Sequence, residues 1–159
     1  VKNLVDFAIA REIDISFIEE MPLGHVGRSR GESFFSSDQV RQLIAPHHAL
    51  SDSVENSGGP ARYQRLLQHP RTRIGYISPH SHNFCDTCNR VRITAKGELY
   101  PCLGQNDAAH LLPILRTGGD DVALRQAIID SMGIKPYGHD FTQQMDAPQV
   151  VRFMSMTGG

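Results

Sequence analysis

Apolar residues at Leu4, Val5, Ala8 and Ile9 recur with the spacing that lays one face of an α-helix against a core. Ile13, Ile15, Phe17 and Ile18 then form a short apolar run suited to a buried strand, so residues 1–21 read as the helix and strand of one β/α unit. One such unit makes no sheet. Its strand needs parallel neighbours and its helix opens with no capping residue ahead of it, so the pattern predicts that more of the same fold precedes Val1. The following stretch, PLGHVGRSRGESFFSS, is rich in Gly, Ser and Arg, has no periodicity and predicts a long surface loop. Ser36 or Ser37 caps a helix that carries Val40, Leu43 and Ile44 and ends near Pro46. SDSVENSGGP is turn chemistry, and short strands are predicted at about Tyr63–Leu67 and Arg73–Ile77. AAHLLPILRTGG and DDVALRQAIIDSMG predict two helices, the second burying Val122, Leu124, Ile128 and Ile129 and stopping at Gly133. From His139 onward the periodicity is lost, which predicts an irregular tail.

Composition narrows the possible partners. The chain has 159 residues and a formal net charge of -1, so no global basic excess draws it to nucleic acid or to a membrane surface. Anion binding, if present, has to be local. No apolar run is long enough to span a bilayer and no charged, apolar and small-residue leader opens the sequence, so a cytoplasmic setting is expected.

The cysteines change the picture most. Cys85, Cys88 and Cys102 all lie in FCDTCNRVRITAKGELYPCLG, spaced C-x2-C-x13-C. An odd number of cysteines in a chain with no secretory signal argues for metal binding over a disulfide framework. Val91, Ile93 and Leu99 alternate on either side of Ala95-Lys96-Gly97, which predicts a β-hairpin pairing 94 with 98, 92 with 100 and 90 with 102. Opposed residues share a face, so Arg90, Arg92, Thr94, Glu98, Tyr100 and Cys102 are expected on one side. Val91, Ile93, Leu99 and Pro101 are expected on the other, toward the core. Two metal readings follow. Either His80 or His82 completes a four-ligand structural zinc site, making the chain a zinc-stabilised interaction module, or three thiolates hold an iron-sulfur cluster with one open iron. In the second case Arg90 and Arg92 stand ready for the phosphates of a ligand.

Together, FCDTCNRVRITAKGELYPCL, ISFIEEMPLG and the terminal Gly158-Gly159 resemble the C-terminal half of the GTP 3',8-cyclase family, radical S-adenosylmethionine enzymes that begin molybdenum cofactor biosynthesis. The resemblance implies an α/β fold: the C-terminal end of an incomplete (β/α) barrel in residues 1–21, then a small α+β cluster-binding domain with antiparallel strands in residues 22–159. It implies that Cys85, Cys88 and Cys102 hold a second [4Fe-4S] cluster whose open iron takes the guanine of GTP, with Arg90, Val91 and Arg92 on the nucleotide. Met21 matches a position that touches S-adenosylmethionine. The first [4Fe-4S] cluster and most of the S-adenosylmethionine site belong to an N-terminal half, since no C-x3-C-x2-C motif is present. The implied reaction takes hydrogen from C3' of the GTP ribose with a deoxyadenosyl radical and closes C3' onto C8, giving 3',8-cyclo-7,8-dihydro-GTP.

Family likeness also gives the tail a role: Gly158 and Gly159 would thread into the active site, which only side-chain-free residues pass easily. The sequence departs from the family at Ser16, where many members carry an arginine that holds substrate; Arg28 or Arg30 is the nearest replacement, against the simpler expectation that both are solvated. A carrier role for a modified Gly159 fits poorly with a chain of this length and its cysteine cluster. A half-barrel leaves a strand edge unpaired, which predicts a homodimer or disorder within residues 1–35.

Overall fold

The structure is a computed structural model that describes residues 1–27, 29–141 and 148–157. In chain order the elements are α1 (Lys2–Arg11), β1 (Ile15–Ile18), α2 (Arg30–Ser33), α3 (Ser37–Ile44), β2 (Leu50–Asp52), β3 (Arg62–Leu66) and β4 (Arg73–Ile77). A 3-10 turn (Cys85–Thr87) follows, then β5 (Arg92–Ile93), β6 (Glu98–Tyr100), β7 (Ala109–His110), α4 (Leu111–Arg116), α5 (Asp121–Gly133) and a second 3-10 turn (Met154–Thr157). The α/β class expected from the sequence is what the chain adopts, with two separate sheets. The chain divides into two compact units, Val1–Met21 with Glu32–Phe84, and Pro22–Gly31 with the chain from Cys85 on.

In the first unit the strands lie in the order β1-β4-β3-β2. β1 runs parallel to β4, with Ile15 opposite Ile74 and Phe17 opposite Tyr76, while β3 is antiparallel to both β4 and β2. The parallel neighbour that β1 needs on one side thus comes from inside the chain: β3 runs antiparallel to β4 and leaves it aligned with β1. On its other side β1 has no strand partner among the described residues. Period-two alternation sends Ile15 and Phe17 to the helix-covered face and Ser16 and Ile18 to the opposite one. Val5, Val40, Ile44, Leu66, Ile74 and Tyr76 form one buried cluster that α1 and α3 share with the sheet. Burial pushes the Tyr76 hydroxyl up to about 12, against the opposing pull of Arg41. The predicted cap of α3 is Ser36, whose side chain accepts from the Gln39 N–H while the Gln39 side chain accepts from the Ser36 N–H.

The end of β1 is fixed by a buried carboxylate. Glu19 is 2% exposed. It accepts from the backbone N–H of Ser37 at 3.0 Å, of His80 at 2.9 Å and of Ser81 at 3.0 Å, and from the Ser81 hydroxyl. Burial pushes its pKa up, but these hydrogen bonds outweigh it and hold the carboxyl below the usual glutamate value.

The second unit contains a three-stranded antiparallel sheet in the order β5-β6-β7, with α4 and α5 packed on β6. The hairpin register is the expected one: Arg92 opposes Tyr100, Ile93 opposes Leu99, and the Thr94 N–H donates to the Glu98 carbonyl at 3.0 Å. Gly97 sits at φ 73, and a Cβ there would come within 2.9 Å of the Leu112 Cβ, so both the turn and the approach of α4 require glycine. The expected division of faces holds only in part. Leu99 and Pro101 are buried, but so is Tyr100 from the other face, while Val91 and Ile93 remain 41% and 54% exposed. β6 is the central strand and is covered on both sides, whereas β5 is an edge.

α5 departs further from its pattern. Val122 is 73% and Ile129 50% exposed, Ile128 is exposed and only Leu124 of the four predicted core residues is half-buried. A sheet of strands two or three residues long offers too little surface to cover a helix of 13. The predicted surface loop after Met21 is not fully solvated either. Leu23 pairs with Val150 in a parallel bridge, and Arg30, 2% exposed, donates to the carbonyls of Leu23 at 2.6 Å and Gly24 at 2.5 Å. Gly24 has φ 65, and a Cβ there would meet the Phe153 ring at 2.5 Å. Part of the predicted irregular tail is therefore pinned by backbone pairing to the segment around Leu23.

Candidate cluster and nucleotide site

The three cysteines belong to the second unit. Cys85 opens the 3-10 turn, and the Cys88 N–H donates back to the Cys85 carbonyl at 3.1 Å, which fixes the C-x2-C pair in one tight loop. Cys102 follows directly on β6 and the buried Pro101. All three are half-buried and none is disulfide-bonded. Burial pushes the Cys102 thiol up; the neighbouring Cys85 and Cys88 add to that, while the Gly104 N–H and Lys135 pull the other way. The three sulfurs and one ammonium therefore share one electrostatic neighbourhood.

The hairpin ladder ends at Arg92 opposite Tyr100, so the expected pairing of Arg90 with Cys102 is not formed as a strand pair. Instead the Arg90 carbonyl accepts from the Lys135 ammonium at 2.7 Å, and the same Nζ lies 3.9 Å from Cys88 Sγ. Arg90 and Arg92 are half-buried and Val91 is exposed between them. Arg92 Nε is buried with no hydrogen-bond partner among the described residues, a donor that a bound acceptor would satisfy.

Residues beyond the sequence motif also line this site. After α5 the chain crosses the cysteine loops: a Cβ on Gly138 would lie 3.9 Å from the Cys85 Cβ, and one on Gly104 would lie 3.0 Å from His139 and Phe141. His139 and Phe141 stack with ring centroids 4.1 Å apart. Arg152 lies over the Tyr100 ring at 3.9 Å and donates to Asn106 Oδ1 at 2.8 Å and the Gln105 carbonyl at 2.6 Å. These contacts tie the described part of the tail to the loop that follows Cys102. Nothing in the sequence marks these contacts: Lys135-Pro136, two residues beyond the helix stop at Gly133, reads as an ordinary helix end.

Among the described residues no three His, Cys, Asp or Glu side chains are gathered closely enough to hold a single metal ion. The histidines weighed for a zinc site have other company: His80 Nε2 lies 3.0 Å from the Glu20 carbonyl, and His82 Nε2 faces Asp38 at 3.5 Å. The closed four-ligand arrangement is thus absent among the described residues. A cluster of four irons spreads its thiolates further apart than one ion does, and three half-buried thiols beside a fixed cation suit that donor set.

Met21, half-buried, stands two residues after the anchored Glu19 in the first unit. Of the two loop arginines, Arg30 serves the Leu23–Gly24 turn and is not solvated. Arg28, Gly158 and Gly159 lie outside the described residues. Ser16 packs against Gly75, where a Cβ would come within 2.4 Å of the serine hydroxyl.

The profile of the family Molybdenum Cofactor Synthesis C matches residues 13–141. The chain is 60% identical over 160 residues to GTP 3',8-cyclase 1 of Pseudomonas aeruginosa, covering 100% of this chain and 48% of that protein. It is 55% identical over 161 residues to the GTP 3',8-cyclase of Pseudomonas fluorescens, again covering 100% of this chain and 48% of the relative. The chain spans about half the length of the curated relatives it matches.

Proposed function

The chain belongs to the Molybdenum Cofactor Synthesis C family, and from that premise we propose that it is the nucleotide-holding C-terminal portion of a GTP 3',8-cyclase, converting GTP to 3',8-cyclo-7,8-dihydro-GTP together with an N-terminal half. Cys85, Cys88 and Cys102 are the thiolates that hold a [4Fe-4S] cluster. When bound, such a cluster supplies an iron with one open position, a Lewis acid for the guanine base. The protein's own contribution is positioning. Arg90 and Arg92 take the negative charge of the nucleotide, with the exposed Val91 between them, and so hold it in place for the reaction. Met21 serves the S-adenosylmethionine site, which the N-terminal half completes with the first cluster, and the glycines at 158 and 159 reach into the same active site. The setting is cytoplasmic, and a homodimer is the proposed assembly; among the described residues no helix is long and apolar enough to cross a membrane.

The observation that carries this reading is the hairpin itself. Its observed register makes Arg92 opposite Tyr100 the last pair of the ladder, with Arg90 two residues before that end and Cys102 two residues after it, which supports a shared site for the cations and the third thiol. Arg92, half-buried with an Nε that no described residue accepts from, is a donor available to a bound anion. Anaerobic reconstitution is expected to load about four iron and four sulfide per chain, and Cys102→Ala to lose both iron and GTP binding in equilibrium dialysis. Tight zinc with no iron uptake overturns the proposal.

A further inference from the structure

The Lys135 side chain contacts both the C-x2-C loop and the start of the arginine-bearing hairpin. Its backbone N–H closes the end of α5 by donating to the Met132 carbonyl at 3.2 Å, and Pro136 follows at once, so the residue is held where the helix stops. A lysine at this place ordinarily points along the helix end toward the orphan carbonyls there. Here it reaches across the fold to the Arg90 carbonyl at 2.7 Å and toward Cys88 Sγ at 3.9 Å.

That geometry joins two tasks. The bond to the Arg90 carbonyl fixes the Arg90–Val91 peptide, inside Arg90-Val91-Arg92 and just before the ladder begins at Arg92. The charge stands beside Cys88 Sγ, one of the three thiols that on the cluster reading carry an iron-sulfur group whose net negative charge grows when it is reduced. Of the other cations, Lys96 sits in the turn at the far end of the hairpin, and Arg90 and Arg92 on the cluster reading are committed to the nucleotide. Asp86 and Glu98 are the acids on the same elements and add no positive charge.

We propose that Lys135 is the positioning residue and counter-ion of this site: its ammonium clasps the Arg90 peptide and offsets the negative charge of the group held by Cys85, Cys88 and Cys102. The proposal rests on the cluster reading. Removing the cation makes addition of an electron harder, so the midpoint potential of the held group moves to more negative values. Removing the donor lets the Arg90 peptide relax, so GTP binds several-fold more weakly.

The two roles separate in three variants of the full chain, reconstituted anaerobically and measured by iron and sulfide content, by a potential titration read in the electron paramagnetic resonance spectrum, and by equilibrium dialysis with GTP. Lys135→Met is expected to keep iron and sulfide, lower the potential and weaken GTP binding. Lys135→Gln keeps a neutral donor for the Arg90 carbonyl, so its potential falls while GTP binding stays near that of the unaltered chain. Lys135→Arg restores the potential. Potentials in the Met and Gln variants equal to that of the unaltered, iron-loaded chain overturn the proposal alone. An unaltered chain that takes up no iron overturns the cluster reading and this proposal with it. A Met variant that loses its fold leaves the Gln and Arg pair to decide.

Discussion

The first unit carries its stability in its packing, and the second carries the chemistry on very little packing. In the first, four strands of three to five residues lie under two helices, one apolar cluster is closed, and the buried carboxylate of Glu19 is bonded through both oxygens. In the second, the cysteines lie on loops beside strands of two or three residues, and much of α5 faces outward. Small units of this kind usually draw stability from a bound group or a covering surface. The difference predicts that the same type of substitution is costly in one unit and nearly silent in the other.

The largest effect belongs to the core of the first unit. Ile74 is fully buried, opposite Ile15 on one side and Gln64 on the other. Ile74→Ala removes three carbons from a closed cluster that cannot collapse onto them, and is expected to cost about 2–5 kcal/mol in urea unfolding. A cost below about 1 kcal/mol would show that this core is loose, and the contrast between the units would fail.

Glu19 comes next. In Glu19→Gln one carboxylate oxygen becomes an amide that must point at backbone N–H donors of Ser37, His80 or Ser81, so a donor meets a donor. A loss of about 1–3 kcal/mol is expected. The pH dependence has a definite sign. Because the folded carboxyl sits below the ordinary glutamate value, its contribution is complete above that value and is lost as pH falls through the lowered one. Glu19→Gln removes this titration, so its stability should fall less steeply with acid than that of the unaltered chain, read as a flatter acid limb in urea unfolding followed by circular dichroism.

What could be read in the sequence follows the range of the interactions. The hairpin was legible because alternation at Val91, Ile93 and Leu99 and a glycine turn lie within a few residues of one another, and α3 because Ser36 and Gln39 satisfy each other locally. The pairing of β1 with β4 was not, since nothing near Ile15 names a partner close to Ile74. Burial was misjudged where it depended on the size of the partner: Val91 and Ile93 alternate correctly but lie on an edge, and Ile129 has the right period with no surface opposite it. Lys135 was passed over and Arg30 was expected to be solvated or to hold substrate because each acts on a distant carbonyl, and a lysine after a helix or an arginine in a Gly-Ser loop looks the same whether solvated or bonded.

The smallest expected effect tests the other side of the contrast. Ile129 is half exposed on α5, so Ile129→Ala deletes atoms that already face water and should change unfolding by no more than about 0.5 kcal/mol. The comparison with Ile74→Ala is informative because both delete the same atoms, and only burial differs. Measuring both at two protein concentrations sharpens it. A cost at Ile129 that approaches that of Ile74 and grows with concentration means that a second copy covers α5, because only association makes stability depend on concentration. A small, concentration-independent cost leaves the helix face uncovered and assigns the stability of the second unit to its sheet and to whatever its thiolates hold.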